Sequence, residues 1–191
     1  MRIQFKQINT ISNYVSFSRV LLAIPIYFYI SQINEIANAR NILIALYITA
    51  YITDLLDGYL ARKLNQISEL GKIIDPLADK ILVIMIVSYL YIFNIIPPIY
   101  FWIIILRDLI IFVGGIFVSK KIGKVLPSDY LGKATVLTIG FFVIAVTANL
   151  NSGSILYQAL YYGSLLLSFA SVINYGLRGM KEIKRETNGD I

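Results

Sequence analysis

Long, charge-poor apolar stretches set the terms for this chain. Six of them, roughly 15–33, 40–63, 72–93, 97–119, 132–149 and 155–178, follow one another with short connections. Helices of this length reach across the ~30 Å of bilayer hydrocarbon. A lone strand there would leave backbone groups unpaired, so the spans are read as helices. The expected fold is an all-α, polytopic membrane protein with six transmembrane helices. Residues 1–14, with Arg2 and Lys6 among Ile3, Phe5, Ile8 and Ile11, read as a short interfacial helix. They lack the design of a cleaved signal peptide and are expected to be retained. Asn94–Pro98 and Asn149–Gly153 read as tight turns, and 180–191 as a polar, frayed cytoplasmic tail. With no repeat or low-complexity tract, 1–191 is taken as a single domain.

Composition narrows the chemistry. Only 15% of residues are charged, against about 25% in a soluble domain. Lys and Arg exceed Asp and Glu by 17 to 11, which in a membrane chain concerns orientation, not nucleic acid. Arg62, Lys63, Lys72, Lys120, Lys121, Lys124, Lys181, Lys184 and Arg185 fall on one side with Arg2 and Lys6, and Arg40 stands alone on the other. The positive-inside rule therefore puts both termini and the 64–71 and 120–131 loops in the cytoplasm. There is no Cys and no His, which excludes disulfides, thiolate and imidazole catalysis, and His- or Cys-ligated metals. Acid–base or metal chemistry has to run on carboxylates.

Four carboxylates stand out. Asp54 and Asp57 lie near the end of the second span, and Asp75 and Asp79 near the start of the third. A carboxylate at membrane depth is costly, and four close together repel. A cation among them resolves both problems, and hard oxygen donors favour Mg²⁺ or Mn²⁺. On a helix Asp57, Gly58 and Ala61 all fall within about 60° of Asp54, with Arg62 at the edge of that face. Gly71, Asp75 and Asp79 likewise share a face, so each helix presents acids beside small residues that admit a ligand closely. Pro76 either begins the third helix or bends it.

Written from Asp54 to Asp79 the pattern is D-x2-D-G-x2-A-R-x8-G-x3-D-x3-D. This resembles the signature of the CDP-alcohol phosphotransferase family at every fixed position. Asn13, Arg19, Asp75–Lys80, Arg107-Asp108 and Gly132-Lys133-x-Thr135 extend the likeness over most of the chain. The resemblance implies displacement of CMP from CDP-diacylglycerol by an alcohol. It implies Asp54, Asp57, Asp75 and Asp79 as ligands of two Mg²⁺ or Mn²⁺ ions, with Asp79 also the catalytic base. Gly58, Ala61, Arg62, Gly71 and Asp54 would bind the nucleotide and diphosphate. It further implies a homodimer, with the active site facing the cytoplasm. Asn13, Arg19 and Ser128 are further candidates.

The acceptor is read from two cations. Arg107 is mid-span and either pairs with a buried acid or binds an anion; the adjacent Asp108 points elsewhere on the helix and is no automatic partner. Lys133 is either an orientation charge or an anion ligand. Together they suggest an acceptor that carries a phosphate, glycerol 3-phosphate being the simplest. The Asp-Pro-Leu-Ala-Asp-Lys and Leu-Gly-Lys-x-Thr segments are similar to phosphatidylglycerophosphate synthases. Arg107-Asp108 also resembles CDP-diacylglycerol-dependent cardiolipin synthases, which would make phosphatidylglycerol the acceptor. A membrane prenyltransferase would need more helices and leaves Gly-x2-Ala-Arg unexplained. A divalent-cation transporter would continue polar residues to the far face, where the second and third spans are apolar. Gly114-Gly115 is read as helix packing, and the tyrosines as interfacial or packed residues.

Overall fold

The computed structural model describes residues 21–63, 71–123 and 129–188, with the side chains of 54–63, 71–79 and 187–188 outside that description. Among the described residues there are six helices and no strand. They are α1 (Ala23–Ser31), α2 (Ala39–Lys63), α3 (Gly71–Ile92), α4 (Pro98–Ile122), α5 (Tyr130–Thr147) and α6 (Ile155–Asn188). The expected spans match α2 to α5 within a few residues. The interfacial segment 1–14 and the beginning of the first span lie outside the described residues. Among the described residues three helices are long and apolar enough by themselves to cross a membrane: Pro98–Ile122, Tyr130–Thr147 and Ile155–Glu186. Ala39–Thr53 and Lys80–Ile92 are shorter apolar stretches. The described residues are all-helical in their regular structure, as in a helical membrane protein.

The chain divides into two compact units, Met1–Ile95 and Ile96–Ile191. In the first, α1 packs against both α2 and α3. Ala23, Ile26 and Ile30 form its buried stripe, and Tyr27 meets Tyr89 edge-on with ring centroids 5.1 Å apart. The helix α3 runs through Pro76 and does not start at it.

In the second unit, α6 packs against α4 and α5. Tyr100 pairs with Ser164 at 3.0 Å and Arg107 with Ser171 at 3.2 Å, both 64 residues apart. A constant offset means that α4 and α6 run parallel. Thr135 reaches Leu167, while Asp129, earlier in α5's approach, reaches the later Asn174, so α5 runs antiparallel to α6. Buried Ser164, Ser168 and Ser171 line one stripe of α6, a small-residue seam of the kind that lets membrane helices approach. Their hydroxyls also donate to backbone carbonyls one turn back. Farther along, a Cβ on Gly115 would come within 2.9 Å of Tyr175 Oη, and one on Gly179 within 2.9 Å of Val118 Cγ2. Gly115 thus serves packing, as expected.

Away from the seam, α4 exposes Trp102, Leu106, Leu109, Ile110, Val113 and Phe117, a surface suited to lipid and not to water. Three connections each contain an asparagine with positive φ, Asn38, Asn94 and Asn149. Asparagine tolerates this left-handed conformation better than most side chains, which allows the chain to reverse in few residues. The stretch after 178 differs from the expected frayed tail, since helix continues to Asn188. Lys181, Glu182, Lys184 and Arg185 are good helix formers, and Glu182 pairs with Arg185 at 3.6 Å.

Candidate active site

Asp54, Asp57, Gly58, Ala61 and Arg62 fall in the last turns of α2; Gly71, Asp75 and Asp79 fall in the first turns of α3. Both segments are helical, so the spacings inferred for shared faces hold along the backbone. The described halves of the two helices sharpen this. Ala39, Leu43, Tyr47 and Ala50 form the buried stripe of α2. The same steps of three and four residues run on to 54, 57 and 61. On α3, Leu82, Ile86 and Leu90 are buried, and their register runs back to 79, 75 and 71. Each acid pair is therefore on the register of its helix's buried stripe. Thr49 and Thr53, just before Asp54, donate to carbonyls of their own helix at 2.8 Å. Among the described side chains no group of acids could hold a metal ion, and the side chains of the four aspartates lie outside them. Asn13, Arg19 and Ser128 lie outside the described residues.

Arg107 is buried in α4, 8% exposed. Its Nε donates to Ser171 Oγ at 3.2 Å and its Nη1 to Asp108 Oδ1 at 2.5 Å. The expectation that Asp108 points elsewhere is thus corrected. It considered only where the two side chains leave the helix, whereas the long arginine stem folds round to its neighbour. Burial favours this ion pair strongly over separated charges. These two contacts use two of the guanidinium's five donors.

Lys133 is exposed in the first turn of α5, its Nζ 6.0 Å from the Tyr130 ring centroid. The pairs Thr135–Leu167 and Asp129–Asn174 bracket it along α6. That register sets Lys133 within about one turn of the level of Ser171, the residue that Arg107 contacts. The two cations singled out from sequence therefore share one level along α6.

Sequence reasoning missed Asp129, Asn174, Arg178 and Ser171. Asp129 caps α5 through Gly132 N–H at 2.9 Å and also accepts from Asn174 Nδ2, with Arg178 Nη1 3.6 Å away. An Asp just before a helical pattern is a cap signal that could have found the first contact. Ser171 was signalled by the spacing of Ser164, Ser168 and Ser171, one stripe of a helix.

Comparison with known proteins supplies independent grounds. Residues 9–170 match the family model for CDP-alcohol phosphatidyltransferase, through both units of the chain. A CDP-diacylglycerol–glycerol-3-phosphate 3-phosphatidyltransferase of Aquifex aeolicus is 33% identical over 182 residues, covering 92% of this chain and 99% of the relative. An enzyme of the same name from Mycoplasma genitalium is 29% identical over 202 residues, covering 91% and 85%. Another from Bacillus subtilis is 41% identical over 88 residues, covering 46% and 45%. With the eight-position signature complete on α2 and α3, this chain belongs to the CDP-alcohol phosphatidyltransferase family.

Proposed function

We propose that this enzyme transfers the phosphatidyl group of CDP-diacylglycerol to the hydroxyl of glycerol 3-phosphate, forming phosphatidylglycerophosphate and releasing CMP. The observation that carries the reaction is the complete acid signature on the buried registers of two helices. The acceptor rests on the relatives that span nearly the whole chain, both named for glycerol 3-phosphate. Arg107 and Lys133, at one level along α6, supply the cations a phosphate-bearing acceptor needs.

In this reading Asp54, Asp57, Asp75 and Asp79 hold two divalent ions, Mg²⁺ or Mn²⁺; four carboxylates are a fitting donor set for such hard cations. Bound there, the ions would supply Lewis-acid stabilisation for the diphosphate and the departing CMP. Gly58, Ala61 and Gly71 leave room for the nucleotide and diphosphate, Arg62 counters their charge, and Asp54 belongs to both sets. Asp79 takes the proton of the acceptor hydroxyl as its oxygen bonds to the phosphatidyl phosphorus and the bond to CMP breaks. Arg107 and Lys133 hold the acceptor's phosphate. Asn13, Arg19 and Ser128 complete the site. The whole chain acts as one domain with six spans, its active site and both termini cytoplasmic, and works as a homodimer.

A second reading, cardiolipin synthesis with phosphatidylglycerol as acceptor, is favoured by the Arg107-Asp108 dipeptide, which resembles that of CDP-diacylglycerol-dependent cardiolipin synthases. Purified protein supplied with CDP-diacylglycerol, Mg²⁺ or Mn²⁺ and each acceptor in turn separates the two by mass spectrometry of the lipid. Phosphatidylglycerophosphate from glycerol 3-phosphate is expected. Cardiolipin from phosphatidylglycerol, with no product from glycerol 3-phosphate, would overturn the acceptor and leave the reaction class standing.

A further inference from the structure

The first turn of α5 hangs on one carboxylate. The Lys133 backbone N–H donates to the Asp129 carbonyl at 3.1 Å, and Asp129 Oδ1 accepts from Gly132 N–H at 2.9 Å. Gly132 suits this cap by lacking a side chain, since a Cβ there would stand 3.0 Å from Oδ1. The other oxygen serves a different helix. It accepts from Asn174 Nδ2 and faces Arg178 Nη1 at 3.6 Å, both on α6. A cap needs only one acceptor, and serine caps about as well as aspartate. The contacts of Oδ2 therefore go beyond starting a helix. Two residues past Lys133, the buried Thr135 shares its hydroxyl between Leu131 O at 2.7 Å and Leu167 O at 3.2 Å. Exposed Lys133 lies between these two attachments to α6.

We infer that Asp129 is a positioning residue for the acceptor: by tying the first turn of α5 to Asn174 and Arg178, it fixes where the Lys133 ammonium stands. This rests on the proposed role of Lys133 as a ligand of the acceptor's phosphate. A carboxylate fits the task because one group reaches both helices, one oxygen to each. Displacement of about 1 Å in a substrate-orienting group can cost up to about a hundredfold in rate, so a loosened tether is legible in kinetics.

Asp129→Ser separates the two jobs, since it keeps an oxygen for the cap and loses the arm to α6. The test uses the full chain in vesicles with CDP-diacylglycerol and glycerol 3-phosphate. Asp129→Ser is expected to raise the KM for glycerol 3-phosphate about tenfold and to leave that for CDP-diacylglycerol unchanged. In a Lys133→Ala background the same change should add nothing further. A wild-type KM in Asp129→Ser would reduce Asp129 to a cap and overturn the proposal. Multiplying effects in the double variant would also overturn it, while a strong effect of Lys133→Ala alone would keep the acceptor reading intact. An unchanged KM in Lys133→Ala would remove both. Should Asp129→Ser melt too low to assay, Asn174→Ala removes one α6 contact while sparing the cap, and is judged by the same criteria.

Discussion

At the scale of single residues, local patterns were legible and tertiary contacts were not. Asp54, Asp57, Asp75 and Asp79 could be read because their spacing repeats on a helix whatever surrounds it, and because apolar neighbours make acids conspicuous. Asp57→Asn or Asp75→Asn is expected to abolish CMP release while the protein still inserts and folds, because a neutral amide is a poorer ligand for a hard cation. Chelation with EDTA should do the same, reversed by Mg²⁺ or Mn²⁺; full turnover in the variants would contradict the metal role. Losing one charge-assisted contact to a phosphate costs roughly 1.5–3 kcal/mol, so Lys133→Ala should weaken glycerol 3-phosphate about tenfold or more in apparent KM. The tie of Asp129 to α6 escaped because its partner Asn174 is 45 positions away, whereas its local cap of α5 had a sequence signal. Asp108 escaped for a subtler reason: side-chain length, which helical angles ignore, closes its contact with Arg107.

At the scale of helices, boundaries inferred from apolar runs held wherever apolar and helical residues ended together. They failed at α6, where the apolar run stops near 178 and the helix goes on to Asn188. Backbone hydrogen bonding needs no lipid, and the charged residues there favour helix. The seam between α4 and α6 offers a direct check on packing. Gly179→Ala would press a methyl to within 2.9 Å of Val118 Cγ2, at a β-branched side chain with little freedom to move. Overpacking of this kind costs about 1–3 kcal/mol. Thermal melting in detergent should show that loss, and Val118→Ala in the same chain should recover much of it. A Gly179→Ala protein as stable as the parent would mean that the helices part there without penalty.

At the scale of the whole molecule, the proposed six-span orientation follows from where Lys and Arg fall, a compositional bias that sequence displays openly. Single cysteines at Gln66, Lys121 and Glu186 should react with an impermeant reagent from the cytoplasmic side only, and one at Asn151 only from the opposite side. Labelling of Gln66 and Asn151 from the same side would refute that arrangement. The parallel course of α4 and α6 bears on how such a chain is made. Ser171 leaves the ribosome 64 residues after Arg107, so α4 enters the bilayer before its hydrogen-bond partner exists. A lone arginine at the centre of a helix raises the insertion cost by about 2.5–3.5 kcal/mol. Asp108, synthesised immediately after it, brings a countercharge that needs no other helix. The adjacent pair lets a nascent α4 reside in lipid until α6 arrives to complete its contacts.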